Sequence, residues 1–225
     1  MQAGFNAIGF SQGSQFLLVI FTYNFIFRFL SSCILIIFRR ALVQRCPEAQ
    51  IKNLITLGGQ HQGVFGLPNC PSLTQKTCEY LRQMLNYAAY TSLMQKYLVQ
   101  ATYWHNPLEE NNYIKGSSFL ADINNERTKN LDYIDRLQKL KSFVMVKFLN
   151  DTIVVPRESQ WFGFYKPGQD VKLQSLEDSE MFIKDKLGLQ QMKTDGKLIY
   201  LATEGNHLQF KTEWFIDNII NVYLK

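Results

Sequence analysis

The sequence predicts an α/β fold in which a mostly parallel sheet is covered by helices. Two observations predict it. Four short apolar runs are of the kind found in strands that are buried on both faces of a sheet. Helical patterns lie between and after these runs, and strands that alternate with helices are typical of α/β domains. At 225 residues, of which 46% are hydrophobic, the chain suits one domain (1–225) with a substantial core.

The predicted strands read FNAIGF, NLITLGG, FVMVKFL and KLIYLAT, at 5–10, 53–59, 143–149 and 197–203. The predicted helices cover 77–104, 133–140 and 212–224. In the first of these helices, apolar residues recur at i, i+3, i+4 and i+7, the spacing of one helix face. The mostly helical stretch from about 62–140 lies between two strands. We therefore expect a cap-like region inserted into the domain.

The charge pattern argues against a nucleic-acid partner. The chain carries 24 Lys and Arg against 19 Asp and Glu, a net charge of +5, and the excess is scattered along the sequence. We interpret it as a solvated surface. The first residues already resemble a core strand, so we expect that sequence upstream of Met1 is missing.

The motif Gly9-Phe10-Ser11-Gln12-Gly13 fits the G-x-S-x-G nucleophile elbow of the α/β-hydrolase fold. A strand precedes the motif, and its glycines remove Cβ atoms where strand and helix crowd together. The tight turn would expose the Ser11 hydroxyl as a nucleophile. The backbone N–H of Gln12 would then face the oxyanion that forms during acyl transfer.

A serine nucleophile needs a base and an acid that orients the base. His207 lies between the last strand and the last helix, where this fold places its histidine. Asp151 directly follows the third strand, and we prefer it to Glu158 and Glu204. For His105 we expect a position on the surface or at a helix end.

Other features bear on processing and cofactors. His61 is predicted to line a pocket or to be a hydrogen-bonded structural residue, and no zinc-like spacing involves it. Cys70 and Cys78 bracket a short loop that favours a local disulfide, and Asn150 begins the sequon NDT. Both features favour the secretory pathway. The predicted chemistry needs no metal and no organic cofactor.

Several segments resemble the palmitoyl-protein thioesterase family: NAIGFSQGSQFL, NLITLGGQHQGVFGLPNCP, FVMVKFLNDTIV and LATEGNHLQF. GGQHQGVFG is distinctive, because generic lipases lack it. The resemblance implies a lysosomal serine hydrolase that removes palmitoyl or other long-chain acyl groups from S-acylated cysteines. The family's triad falls on Ser11, Asp151 and His207. Its disulfide falls on Cys70 and Cys78, and its glycosylated asparagine on Asn150.

The sequence departs from the family pattern in two places. From the resemblance we expect that the family's N-terminal portion, with early strands and one oxyanion donor, is missing here, and that the family's disulfide partner of Cys46 lies in that portion. An anomalous apolar insertion covers 18–39. We interpret it first as a translated intron or a mis-joined gene, with an extra apolar helix or a membrane span as alternatives. Arg28 near its middle would cost about 2.5–3.5 kcal/mol in a bilayer, which argues against a membrane span. If the chain associates with a membrane, we expect it to do so only through this segment.

Three functions therefore remain open. The first is a thioesterase acting on S-acylated proteins, peptides and other acyl thioesters. The second is a carboxyl-ester lipase of the same fold, which the GGQHQGVFG segment disfavours. The third is an inactive, truncated or mis-spliced product, which the two departures favour for this polypeptide.

Overall fold

The computed structural model describes residues 4–14, 39–66 and 75–225. Almost all of the apolar insertion, and Cys70, lie outside these ranges. The disulfide between Cys70 and Cys78 therefore stays a prediction. Within the described ranges, no helix is long and apolar enough to cross a bilayer.

The predicted parallel sheet is present, and the described part of the chain contributes four strands to it. They are β1 (Phe5–Phe10), β2 (Ile51–Leu57), β3 (Ser142–Phe148) and β6 (Leu198–Thr203). Their order is β1-β2-β3-β6, and every neighbouring pair is parallel. Because parallel strands end at the same edge, the loops after β1, β3 and β6 meet there.

The sheet is covered on both faces, as its apolar strands require. Leu54, Phe143 and Met145 pack on one face together with residues of α1 (Arg39–Arg45), α7 (Leu131–Gln138) and α9 (Leu189–Thr194). Ile55, Val144 and other apolar side chains pack on the opposite face against the C-terminal helical segment, where Ile219 is fully buried. A third apolar cluster around Trp104 and Tyr113 lies among the helices between β2 and β3.

The helices before β3 are α1 (Arg39–Arg45), α2 (Gln75–Ala88), α3 (Ser92–Tyr97), α4 (Val99–Thr102), α5 (Glu110–Gly116), α6 (Leu120–Ile123) and α7 (Leu131–Gln138). After β3 come α8 (Glu180–Ile183), α9 (Leu189–Thr194), α10 (Thr212–Phe215) and α11 (Asn221–Tyr223), the last two joined by a π-helical turn (Ile216–Ile220). Short 3₁₀ helices cover Ser11–Ser14, Pro107–Glu109 and Arg157–Trp161. A small antiparallel pair joins β4 (Phe164–Tyr165) and β5 (Leu173–Gln174).

The prediction of one continuous helix over 77–104 is wrong. The stretch is divided into α2, α3 and α4, and the first break lies at Thr91. Thr91 has an extended backbone, and its hydroxyl accepts a hydrogen bond from the N–H of Met94. It therefore acts as the N-cap of a new helix, and this local bond competes with continuation of α2.

Candidate active site

Ser11 occupies a sharp turn at the end of β1. Its φ of +51° lies in the left-handed region, which is uncommon for a residue with a Cβ. β1 runs directly into the 3₁₀ helix Ser11–Ser14, which begins at Ser11 itself. The side chain of Ser11 is partly exposed at the end of the sheet.

His207 lies beside Ser11, on the loop between β6 and α10. Its Nε2 is 2.7 Å from the Ser11 Oγ. The loop is tied to the one after β3, because the backbone N–H and the hydroxyl of Thr152 both donate to the Asn206 Oδ1, at 3.0 and 3.1 Å. The chain thus brings together two residues that are 196 positions apart.

Asp151 completes the hydrogen-bonded chain. Its Oδ2 is 2.6 Å from the His207 Nδ1, and its side chain has no exposed surface. A carboxylate only accepts hydrogen bonds, so the His207 Nδ1 must carry the proton. In the neutral imidazole, Nε2 is then free to accept the proton of Ser11. This arrangement can activate a serine for attack on an acyl group.

The Asp151 carboxylate is held by three further donors. Its Oδ1 accepts the backbone N–H groups of Ile153 and Val154, at 2.8 and 3.0 Å. Its Oδ2 accepts from the Nε2 of Gln160 at 3.0 Å. Together with the bond to His207, these contacts hold the carboxylate of Asp151 in one orientation.

Gly58 leaves room for the imidazole. It follows β2 with a φ of +67°, and a Cβ built on it would lie 2.8 Å from the His207 Cε1. That separation is below any normal contact between carbon atoms. A residue with a side chain at this position would therefore displace His207.

Gln12 follows Ser11 in the elbow, in the position from which its backbone N–H is predicted to face an oxyanion. Its side-chain Nε2 donates to the hydroxyl of Tyr103, the residue directly after α4. Burial raises the pKa of Tyr103, so this hydroxyl stays protonated. The contact connects the elbow to the helices between β2 and β3.

The other two histidines lie outside this hydrogen-bonded chain. His61 is fully buried, stacks on Phe162 at 4.6 Å and places its Nε2 3.0 Å from the Thr56 hydroxyl, as a structural residue would. Burial and the charge of Arg40 lower the pKa of His61 well below its usual value.

The expectation of a surface position for His105 is wrong, because the residue is buried. It lies between α4 and the 3₁₀ helix Pro107–Glu109. The ring lies between Tyr113 and Phe164, and its Nδ1 donates to the backbone oxygen of Gln62 at 2.7 Å. The aromatic cluster around Trp104 and Tyr113 was not anticipated from the local pattern.

Two residues of the site were not singled out from the sequence. Gly58 belongs to the segment NLITLGG, but its contact with His207 exists only in the folded chain. Gln160 lies nine positions after Asp151 and has no motif of its own.

The rival acid Glu158 lies 3.6 Å from Arg157 in an ion pair. Within the described ranges, no three His, Cys, Asp or Glu side chains lie close enough to hold a metal ion.

Comparison with known proteins gives consistent matches. The family profile described as "Palmitoyl protein thioesterase" matches residues 36–207. Palmitoyl-protein thioesterase 1 of Caenorhabditis elegans is 40% identical over 99% of this chain and 67% of its own length. Palmitoyl-protein thioesterase 3 of Dictyostelium discoideum is 33% identical over 91% of this chain and 61% of its own. Lysosomal thioesterase PPT2 of Rattus norvegicus is 27% identical over 74% and 54%. The chain thus spans about half to two thirds of these relatives.

Proposed function

Because the chain belongs to the palmitoyl protein thioesterase family, we propose that it hydrolyses the thioester that joins a palmitoyl or other long-chain acyl group to a cysteine. The observation that carries the proposal is the unbroken chain of hydrogen bonds from Ser11 through His207 to Asp151. The substrates are S-acylated proteins or peptides and related acyl thioesters.

The first half of the reaction is acyl transfer to the enzyme. Ser11 attacks the thioester carbonyl while the Nε2 of His207 takes the hydroxyl proton. Asp151 stabilises the imidazolium that forms, and the backbone N–H of Gln12 stabilises the oxyanion. The carbon–sulfur bond then breaks, and the cysteine sulfur leaves with the proton from His207.

The second half regenerates the enzyme. A water molecule takes the place of the thiol, and His207 removes its proton as the water attacks the acyl-serine. The ester bond breaks, Ser11 recovers its proton from His207, and the fatty acid leaves. All proton transfers therefore pass through one imidazole nitrogen, 2.7 Å from the Ser11 oxygen.

Relatives named lysosomal thioesterases support a lysosomal site of action. Glycosylation of Asn150 and a disulfide between Cys70 and Cys78 remain part of this proposal as inferences from the sequence. Asn150 is exposed at the end of β3, where a glycan could extend into solvent. Glycosidase treatment and peptide mapping of the secreted or lysosomal protein would test both.

Steady-state kinetics tests the proposed reaction against its main alternative. Palmitoyl thioesters and oxygen esters of equal chain length are compared, with Ser11→Ala and Asp151→Asn as variants. We expect the thioester to be preferred. Both variants should lower kcat by at least about 10³-fold, because each breaks the hydrogen-bonded chain. A preference for oxygen esters would favour a lipase, and an inert parent would contradict the activity altogether.

A further inference from the structure

Gln160 is a buried amide beside the candidate triad. It lies on the 3₁₀ helix Arg157–Trp161, and no part of it is exposed. Its Nε2 is 3.0 Å from the Asp151 Oδ2, the same oxygen that meets His207. Its Oε1 accepts the backbone N–H of Phe148, the last residue of β3, at 3.0 Å.

The orientation of this amide follows from its neighbours. The N–H of Phe148 can only donate, so it must face the oxygen of Gln160. The carboxylate of Asp151 can only accept, so it must face the amide nitrogen. The side chain thus joins the end of β3 to the carboxylate in one arrangement only.

The helix that carries Gln160 is itself fixed on two sides of the site. The hydroxyl of Ser159 donates to the backbone oxygen of Gly63 at 2.6 Å and accepts the N–H of Gln62 at 3.1 Å. The indole of Trp161 donates to the backbone oxygen of Met145 in β3, at 3.0 Å. The position of Gln160 is therefore set by both the loop after β2 and the strand β3.

We propose that Gln160 is a positioning residue for the reaction: its amide holds the Asp151 carboxylate in the orientation that aligns His207 with Ser11. With this donor, the carboxylate accepts four hydrogen bonds, two on each oxygen. Its plane is then fixed, and the bond to His207 cannot lengthen by rotation of the carboxylate. The proposal rests on the thioesterase function above.

Two substitutions separate this role from simple packing. Gln160→Ala removes the donor at every pH. Gln160→Glu keeps the shape, and its carboxyl can donate to Asp151 only while it is protonated. Two carboxyl groups this close share a proton, so the introduced group should stay protonated at acidic pH and ionise as the pH rises. The other charged groups on these elements are Arg157 and Glu158, which pair with each other, and Lys147, which lies over the Trp161 ring.

The matched control is Gln44→Ala. Gln44 is also a fully buried glutamine, but its amide donates to the backbone oxygen of Ile123 at 2.6 Å, joining α1 to the end of α6. Its loss should lower stability without altering the triad. Any effect shared by both alanine variants is therefore structural.

The experiment measures kcat/KM against pH and the proton resonance of the His207 Nδ1–H in the full chain. We expect Gln160→Ala to lower kcat/KM about 10- to 100-fold, mainly through kcat, and to shift or broaden that resonance. Gln160→Glu should approach the parent at acidic pH and lose activity as the pH rises. Gln44→Ala should change neither the resonance nor the pH profile.

The proposal is overturned if Gln160→Ala keeps both the kcat and the Nδ1 resonance of the parent. It is also overturned if Gln160→Glu is as active as the parent at every pH, because an ionised carboxylate cannot donate to Asp151. A parent without thioesterase turnover would count against the proposed function alone, and the resonance would then decide the role of Gln160. If Gln160→Ala does not fold, the shape-preserving Gln160→Glu supplies both measurements.

Discussion

At the scale of single residues, the site depends on a position that has no side chain. Gly58 and Gly196 both have a φ of +67°, but only Gly58 has the His207 ring against its missing Cβ. Gly58→Ala should lower kcat/KM about 10²-fold, because a displacement of a catalytic group by about 1 Å can have that effect. Gly196→Ala is the control, because a Cβ at this position would face open space. This variant should have the same backbone strain as Gly58→Ala but keep the activity of the parent. Equal kinetics for the two variants would contradict the contact.

His61 gives a second prediction at this scale, on stability. Its pKa is lowered in the folded state, so the unfolded chain binds the proton more tightly. The free energy of unfolding should therefore fall as the pH drops from about 6.5 towards the folded pKa, by up to about 1.4 kcal/mol per pH unit. His61→Gln removes this titration and should flatten the profile, as measured by urea denaturation between pH 7 and 4.5. Parallel profiles for the parent and the variant would refute it.

Residues that belong to a sequence motif or directly follow a predicted strand could be located from the sequence. Residues whose role depends on contacts between distant segments could not. Ser11 belongs to a spaced pattern, and His207 and Asp151 follow predicted strands, so their order suggested that they meet. Gly58 and Gln160 act through contacts across the fold. Their roles become visible only when β2, β3 and β6 lie side by side.

At the scale of elements, the 3₁₀ helix Arg157–Trp161 links the loop after β2 to the site. Ser159→Ala would leave the Gly63 oxygen and the Gln62 N–H without their buried partner. We expect a loss of about 1–3 kcal/mol in the free energy of unfolding, measured by urea denaturation. Ser175→Ala is the control, because this hydroxyl bonds an exposed Asp178 and should matter little. Equal stability of the two variants would contradict the structural role.

Strands could be predicted better than helices, for a physical reason. The four strand candidates match β1, β2, β3 and β6 to within two residues at each end, because each is a compact apolar run. β2 and β3 are buried almost throughout, whereas β1 and β6 are only partly buried. The helical pattern over 77–104 continues in the sequence while the helix itself ends. A side-chain cap at Thr91 and packing around Trp104 and Tyr113 decide the breaks. The spacing of apolar residues alone does not show where these helices break.

At the scale of the whole molecule, the parallel topology explains why distant segments form one site. The loops after β1, β3 and β6 supply Ser11, Asp151 and His207 at the same edge of the sheet. The fold class and this edge could be predicted, because alternating strands and helices imply parallel neighbours. The interpretation of the apolar insertion at 18–39 concerns residues that lie almost wholly outside the described ranges, and it stays a prediction.

The proposed mechanism is tested most directly by identifying the residue that carries the acyl group during turnover. The full chain is mixed with a palmitoyl thioester, stopped with acid within the first turnovers and mapped by peptide mass spectrometry, with Ser11→Ala as the control. We expect a palmitoyl ester on the Ser11 peptide of the parent and none in the variant, because the Ser11 hydroxyl is paired with the His207 base. Release of palmitate while Ser11 stays unmodified would contradict it.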